Sequence, residues 1–217
     1  MLQHVGNQPY IIMAKRYFIT AIGTDCGKTV VSAIFTQALH ADYWKPVQAG
    51  FPRDTDTVMG LVENPVSKFH QEAYLLQNPM SPHAAARLDG VEIQLEKILL
   101  PDTENTLVIE GAGGALVPLN DWHFVIEMAT KFDAEVILVA NIYLGSINHT
   151  LLTINELKRR KLKVKGIVFN GPENEESERI ILKHSGYPLL MRLWPEEFLT
   201  HETINRYAWE LKKTLTL

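Results

Sequence analysis

Short runs of apolar residues alternate along the chain with segments in which apolar residues recur every three or four positions. The runs predict buried strands, and the segments predict helices with one buried face. The predicted strands are 17–22, 42–47, 107–109, 136–140, 164–169 and 189–193. The predicted helices are 30–40, 56–63, 91–100, 124–132, a helix marked by Ile147, Leu151 and Ile154, 175–184, and the C-terminal segment. This alternation predicts an α/β fold, with a mostly parallel sheet of about six to seven strands and helices on both faces.

The same pattern predicts how the chain is organised. A length of 217 residues is enough for one domain with a continuous core, and we assign that domain to residues 13–217. Residues 1–12 are interpreted as an N-terminal extension or an added segment outside the fold. Residues 64–90 are predicted to be rich in loops, because they contain three dipeptides that end in proline.

Composition narrows the class of protein. The formal net charge is −4 and no basic tract is present, which argues against nucleic acid as the main partner. No apolar run approaches the roughly 20 residues of a membrane span, and the first twelve residues lack the apolar core of a signal peptide. Cys26 is the only cysteine, so no disulfide framework is possible and a cytoplasmic location is expected.

Gly27-Lys28-Thr29 follows the first predicted strand and opens the first predicted helix, as in a phosphate-binding loop. The full template begins with a glycine, where this chain has Ile22 after Ala21. The change is harmless if both residues are strand-like, because no positive φ is then needed. Lys28 would reach the β and γ phosphates of a nucleotide, and the Thr29 hydroxyl would bind Mg²⁺. The alternative is an ordinary strand-to-helix turn.

Two acidic residues come at the ends of predicted strands. Asp56 follows the second strand, and Glu110 ends the strand 107–109 just before a glycine-rich loop predicted over 111–114. One or two carboxylates normally complete the oxygen ligands of a nucleotide-bound Mg²⁺, and the carboxyl ends of parallel strands meet at one edge. The alternatives are a helix N-cap for Asp56 and a solvated loop acid for Glu110.

Three further polar positions lie at strand ends. Lys45 ends the second strand and could point into the same crevice as Lys28, although its position alone favours a surface lysine. Gly145 to Asn148 opens a helix whose free N–H groups suit a carboxylate or phosphate, although Ser146 could simply cap that helix. Asn170 could read the edge of a base or cap the following helix.

The order of these motifs resembles the dethiobiotin synthetase family from about Lys15 to the end of the chain. Six segments carry the resemblance, and three of them (Lys-Pro-Val, Ser-Pro-His and Gly-x-Ile-Asn-His) are restrictive in combination. The segments are Arg16-Tyr17-Phe18-Ile19-Thr20, Gly23-Thr24-Asp25-Cys26-Gly27-Lys28-Thr29, Lys45-Pro46-Val47-Gln48-Ala49-Gly50, Ser81-Pro82-His83, Glu110-Gly111-Ala112-Gly113-Gly114 and Gly145-Ser146-Ile147-Asn148-His149.

The resemblance implies an ATP-dependent cyclo-ligase of biotin biosynthesis. Its substrates would be ATP, CO2 and 7,8-diaminononanoate, its cofactor Mg²⁺, and its assembly a homodimer with the substrate across the subunit boundary. One substrate amine captures CO2 as a carbamate, the carbamate attacks the γ-phosphate, and the second amine closes the ring and expels phosphate.

The resemblance also implies residue roles. The catalytic residues would be Lys45, which holds the carbamate, Lys28 and Thr24. Mg²⁺ would be held by Thr29, Asp56 and Glu110. The substrate would be bound by Lys45, Ala49, Gly145 and Asn148, the last two from the partner subunit. ATP would be bound by Asp25, Cys26, Gly27, Lys28, Thr29, Val30, Asp56, Glu110, Gly111, Ala112, Gly113, Asn170, Gly171, Pro195 and Glu196.

Three positions depart from the family pattern. Ala21 replaces a glycine, and Ala49 replaces a serine or threonine, so one hydrogen bond to the substrate is absent or supplied by Gln48. Cys26 lies at a helix N-terminus, where a thiolate is favoured, so alkylation is expected to block ATP binding. The alternative for Cys26 is a small, inert loop residue.

Two other classes of protein share the phosphate-binding loop. A ParA/MinD-like switch ATPase, acting through protein, DNA or membrane partners, would carry a second lysine near Ile22 or Gly23 and often a basic or amphipathic tail, and this chain has neither. An amidoligase of the cobyrinate-diamide synthase type would add a glutamine amidotransferase domain, for which 217 residues leave no room.

Overall fold

The computed structural model describes residues 14–216, so the extension assigned to residues 1–12 lies outside the described residues. Within residues 14–216 there are nine strands. They are β1 (Arg16–Ala21), β2 (Asp42–Trp44), β3 (Val47–Ala49), β4 (Phe69–His70), β5 (Tyr74–Leu76), β6 (Leu107–Gly114), β7 (Glu135–Asn141), β8 (Val164–Asn170) and β9 (Leu189–Leu193).

Seven α-helices lie between or after these strands in the same part of the chain. They are α1 (Lys28–Leu39), α2 (Asp54–Leu61), α3 (Pro82–Leu88), α4 (Glu127–Lys131), α5 (Ser146–Arg159), α6 (Glu175–Ser185) and α7 (His201–Thr214). None of the helices described is both long and apolar enough to cross a membrane.

Seven of the strands form one sheet in the order β4-β2-β6-β1-β7-β8-β9, and every pairing in it is parallel. The α/β fold with a parallel sheet is therefore confirmed. Strand β6 lies between β2 and β1 in this sheet. The chain leaves these three strands at the same edge of the sheet, where ligands bind in open α/β folds.

Side chains of the central strands point alternately into two cores. In β1, Tyr17 and Ile19 pack under α1 and α7, whereas Phe18 packs in the core on the opposite face. That second core also includes Met128 of α4 and Ile154 of α5. Both faces of the sheet are covered, so the central strands can be almost wholly apolar.

The predicted strand 42–47 is divided in the structure. Strand β2 ends at Trp44, and the chain then enters β3, which pairs with β5 in a separate two-stranded sheet. Pro46 lies at the division, where it has no N–H to donate to a ladder. Its carbonyl oxygen accepts hydrogen bonds from the N–H groups of Ala73 and Tyr74. Lys45 is therefore displaced from the regular sheet at the edge where ligands bind.

The helix predicted over 91–100 is wrong. Only a 3₁₀ turn, Leu95–Lys97, forms there. The Asn120 amide donates to the carbonyl of Ile93, and the Lys131 ammonium donates to the carbonyl of Leu95. Side chains from elsewhere thus satisfy backbone groups that a helix would pair internally.

The glycine-rich segment 111–114 continues β6 instead of forming a loop. Glu110 pairs with Ile19 of β1 while Gly114 pairs with Ala21, so β6 bulges between these positions. A bulge beside a ligand-binding edge re-aims side chains and the backbone.

Candidate active site

A cleft of about 740 Å³ opens at the carboxyl ends of β1, β2 and β6. Most of the predicted catalytic and phosphate-binding residues lie on its walls. The lining residues are 24–30, Lys45, 48–52, Asp54, 79–82, Glu110, Ala112, Gly113 and Val117. The polar motifs at neighbouring strand ends are thus brought together by the parallel sheet.

The phosphate-binding loop joins β1 to α1. Lys28 is the first residue of α1, and its side chain is buried, with the ammonium donating to the carbonyl of Gly23 at 3.3 Å. Burial, followed by the nearby charge of Lys45, lowers the pKa of Lys28. The helix N-terminus and the ammonium face the same cleft, so the loop presents positive charge to an anion.

Gly27 is required by its backbone and by its neighbour. Its φ is +91°, and a Cβ at this position would lie 2.6 Å from the amide nitrogen of Asn170. That amide donates to the carbonyl of Cys26 at 2.9 Å. Asn170 therefore holds the phosphate-binding loop in place, and its contact with adenine stays a prediction.

Four side chains from different elements meet deeper in the cleft. The Lys45 ammonium lies 2.5 Å from Oδ2 of Asp54 and 3.0 Å from Oε1 of Glu110. The Thr29 hydroxyl lies 3.2 Å from Oδ1 of Asp54 and 3.1 Å from the same Glu110 oxygen. We call these four residues the acid–lysine cluster.

Lys45 and Glu110 of the acid–lysine cluster are buried, whereas Thr29 and Asp54 are partly exposed. Lys45 is 4% exposed and Glu110 is 1% exposed. Burial by itself lowers the pKa of Lys45, but Glu110 and Asp54 outweigh it and raise that pKa above its ordinary value. Lys45 therefore stays protonated at neutral pH, and the prediction from position alone of a surface lysine is wrong.

Tyr43 is a member of the site that the sequence did not reveal. Its hydroxyl donates to Oε2 of Glu110 at 2.9 Å, and its side chain is fully buried. Burial and then the charge of Glu110 raise the pKa of Tyr43 well above its usual value, so the hydroxyl remains a donor. A tyrosine in a predicted strand is most simply interpreted as a core residue, and only the pairing of β2 with β6 brings it to Glu110.

The structure places Asp54, not Asp56, in the cluster, which corrects the expected position of Asp56. Asp56 is exposed and pairs with the guanidinium of Arg53, with Arg53 Nε 2.9 Å from its Oδ2. Helix α2 begins at Asp54, two residues before the predicted start. Residues two apart on a helix point about 200° apart, so both acids cannot face the cleft.

The cluster suits a magnesium ion bound to a nucleotide. Among the described residues no group of three or more His, Cys, Asp or Glu could hold a metal alone. Thr29, Asp54 and Glu110 nevertheless bring a hydroxyl and two carboxylates together. Mg²⁺ in ATP-dependent enzymes is held by one or two carboxylates, with phosphates and waters as its other ligands.

Gln48 lines the cleft and makes two hydrogen bonds within the chain, and its replacement of the hydrogen bond that Ala49 lacks stays a prediction. Its amide nitrogen donates to the carbonyl of Gly50 at 3.1 Å, and its oxygen accepts from the N–H of Asp54 at 3.2 Å. Gln48 thereby holds the start of α2, and through it the carboxylate of Asp54. Ala49 itself lines the cleft, as does Thr24.

Cys26 differs from the expectation of a reactive thiolate. It is 2% exposed, and its thiol donates to the carbonyl of Thr24 at 3.3 Å. Burial raises the pKa of Cys26, with a smaller opposing effect of Lys28. These observations favour the alternative of a small, inert loop residue.

Comparison with known proteins identifies the family. A family model described as an AAA domain matches residues 15–203. The ATP-dependent dethiobiotin synthetase of Cytophaga hutchinsonii is 64% identical, over 91% of this chain and 97% of that protein. The chain belongs to the family of ATP-dependent dethiobiotin synthetases. The synthetase of Christiangramia forsetii is 48% identical, over 94% of this chain and 99% of that protein.

Solved structures of other proteins share the architecture of this synthetase family member. MinD of Pyrococcus horikoshii complexed with Mg-ADP aligns with a TM-score of 0.57 and 14% identity, covering 94% of this chain and 98% of that chain. A ParA family ATPase of Chlorobium tepidum aligns at 0.54 and 13% identity, covering 94% and 92%. At such identities the likeness shows the fold alone, whereas the sequence relatives decide against the switch-ATPase alternative.

Gly145 and Asn148 lie outside the cleft formed by the described residues of this chain. Both are exposed near the N-terminus of α5, and Leu144 beside them is fully exposed. Their predicted contact with the substrate carboxylate of a synthetase therefore needs a second subunit or a movement of the chain.

Three further predicted ATP-binding residues also lie outside the cleft that the described residues form, namely Gly171, Pro195 and Glu196. Pro195 is exposed in the segment between β9 and α7, and Glu196 accepts hydrogen bonds from Tyr207 and Arg206. Gly171 has a φ of +109°, so it turns the chain out of β8 directly after Asn170. Their roles in a synthetase stay predictions.

Proposed function

We propose that the protein closes the ureido ring of dethiobiotin from 7,8-diaminononanoate and CO2 with Mg²⁺ and ATP. The acid–lysine cluster next to the phosphate-binding loop carries this proposal, since it joins a nucleotide site to a buried second lysine. A pure nucleotide switch has no need of Lys45 at that place.

The central difficulty of the reaction is electrostatic. An anionic carbamate must approach an anionic γ-phosphate, and two like unit charges about 4 Å apart repel by about 4 kcal/mol at an effective dielectric constant near 20. Lys28 and Lys45 line the cleft in which the two anions would meet. Their positive charges offset this repulsion, and phosphoryl transfer needs little beyond such positioning and charge stabilisation.

The reaction would proceed through three bond-forming steps. One substrate amine adds to CO2 and loses a proton, which gives a carbamate. A carbamate oxygen attacks the γ-phosphorus, the bond to ADP breaks, and a carbamic–phosphoric anhydride forms. The second amine then attacks the carbonyl carbon and loses a proton, the bond from that carbon to the phosphate oxygen breaks, phosphate leaves, and the ring closes. Lys45, protonated because of its raised pKa, would hold the carbamate during the attack.

Thr29, Asp54 and Glu110 would hold Mg²⁺ in this proposal. The ion would supply neutralisation of the negative charge on the β and γ phosphates. Because these residues and Lys28 line the same cleft, the ion and the Lys28 ammonium would both offset phosphate charge.

Release of ADP tests the proposed function. It should require both diaminononanoate and bicarbonate, and mass spectrometry should detect dethiobiotin in amounts equal to ADP. ATP hydrolysis that proceeds at the same rate without either substrate would contradict the proposal. We also propose that the protein acts in the cytoplasm, because the reaction consumes ATP. Activity confined to another cell fraction would contradict this location.

The choice between Asp54 and Asp56 gives a sharp test. Asp54→Asn should raise the Mg²⁺ concentration needed for half-maximal activity by about 10-fold or more, since it removes one of two carboxylates at the cluster. Asp56→Asn is the matched control at an exposed position and should leave that concentration unchanged. A larger effect of Asp56→Asn would show that α2 shifts when the nucleotide binds.

We also propose a homodimer in which Asn148 of one subunit binds the substrate carboxylate in the cleft of the other. The exposure of Gly145, Asn148 and Leu144 away from their own cleft supports this arrangement. An equimolar mixture of inactive Lys45→Met and Asn148→Ala subunits should regain up to about a quarter of the wild-type activity, because about half of the dimers would be mixed and each mixed dimer would have one intact site of two. Mixtures that stay inactive after subunit exchange has been verified would rule out a shared site.

A further inference from the structure

The hydroxyl of Tyr43 makes a hydrogen bond within the site, and the proposed reaction gives this hydrogen bond no role. We propose that Tyr43 is a positioning residue that orients the Glu110 carboxylate for Mg²⁺. This inference rests on the proposed function, because it assumes that Glu110 holds the metal. The residue is fully buried, and its hydroxyl reaches Oε2 of Glu110 at 2.9 Å.

The parallel pairing of two strands creates this contact. Tyr43 of β2 is paired with Val108 of β6, and Glu110 lies two residues further along β6 on the same face. Two residues along a parallel strand rise about 6.6 Å and neighbouring strands lie about 4.8 Å apart, so the two backbones are about 8 Å apart, a gap that a long aromatic side chain bridges. The Tyr43 ring packs against Phe69 of β4 at 6.3 Å between ring centres, so the core fixes the direction of its hydroxyl.

The two oxygens of Glu110 have separate partners. Oε2 accepts from Tyr43, whereas Oε1 faces Thr29 and Lys45 in the cleft. The hydrogen bond from Tyr43 therefore directs one oxygen away from the cleft and leaves the other aimed at the site. Hydrogen bonds to the far atom of a metal ligand commonly act in this way, by fixing the orientation of the ligand.

The Tyr43 hydroxyl donates a hydrogen bond that the packing of the core does not need. Phenylalanine would fill the same volume in the apolar core, but it would leave a buried carboxylate oxygen without its donor. The second oxygen of Glu110 would then be free to turn toward Lys45, which Oε1 already contacts. The metal site would lose its fixed ligand while the fold kept its core.

Tyr43→Phe tests the inference, with Tyr17→Phe as the matched control. Tyr17 is buried in the same core, on β1, and packs against Phe35. Binding of Mn²⁺ to the ADP complex, followed by electron paramagnetic resonance, should weaken by about 10- to 100-fold in Tyr43→Phe. Tyr17→Phe should bind Mn²⁺ as the wild type does.

A second titration separates positioning from structure. ADP affinity in excess EDTA should be the same in Tyr43→Phe and wild type, because the phosphate-binding loop is untouched. Unchanged Mn²⁺ affinity in the folded Tyr43→Phe protein would overturn the inference. So would an equal loss of ADP affinity with and without metal, which would indicate general damage to the site.

The wild type offers a measurement that needs no substitution at Tyr43. In protein labelled with 13C at the phenol carbon of tyrosine, Mg²⁺ added to the ADP complex should shift the Tyr43 signal and leave the Tyr17 signal in place. A static Tyr43 signal would overturn the inference. If wild-type protein bound ADP without any effect of Mn²⁺ or Mg²⁺, the proposed metal site would fail, and the fault would not lie with Tyr43.

Discussion

Lys45→Met should abolish product formation while ATP still binds. We expect kcat to fall about 1,000-fold or more, since this ammonium is the group proposed to hold the carbamate against the γ-phosphate. The phosphate-binding loop and Lys28 remain in place, so ATP affinity measured by calorimetry should change by less than about tenfold.

Stability gives a second readout for Lys45→Met. The substitution leaves Asp54 and Glu110 facing each other without their shared cation. Loss of one partner of a buried pair costs about 3–5 kcal/mol, and we expect about 3 kcal/mol because the Asp54 side chain is 30% exposed. Urea unfolding measures this change.

Lys163→Met is a suitable control for Lys45→Met, because Lys163 is exposed in an ion pair with Asp133. It should leave activity and the unfolding midpoint unchanged. A Lys45→Met protein that kept more than a tenth of wild-type kcat would contradict the role proposed for Lys45.

Lys28→Met should remove ATP binding as well as activity. We expect kcat/KM for ATP to fall by about three orders of magnitude, because the ammonium offsets charge on the phosphates during their transfer. Calorimetry should detect no ATP binding at concentrations that saturate Lys45→Met. The two lysine variants thus separate the nucleotide half of the site from the carbamate half.

The two lysines should also differ in their effect on folding. Lys28 is buried, and its pKa is lowered. Its ammonium donates to the backbone carbonyl of Gly23. Among the described residues, no carboxylate lies within ion-pair distance of this ammonium. Replacing such a charge by an apolar side chain of similar length removes a desolvation cost. Lys28→Met should therefore leave the free energy of unfolding unchanged or raise it. A loss as large as that of Lys45→Met would show that Lys28 also compensates the acids.

Much of the fold was predictable because the central strands carry their information locally. A short, wholly apolar run such as 136–140 is typical of a parallel strand that is buried on both faces, and β7 forms there in the structure. The errors occurred where long-range contacts outweigh local pattern. The division at Pro46 depends on β5, and the missing helix at 91–100 depends on the donors Asn120 and Lys131.

By itself the sequence determined that a phosphate-binding loop and acidic residues lie at one edge of a parallel sheet, because strand ends in a parallel sheet share an edge. Position alone favoured a surface location for Lys45, and the resemblance to the family placed that lysine at the site. Only the tertiary structure decided that Asp54 and not Asp56 faces Thr29, because the start of α2 sets which side of the helix each acid occupies. It also decided that Tyr43 reaches Glu110, because that contact depends on the register between two strands more than sixty residues apart.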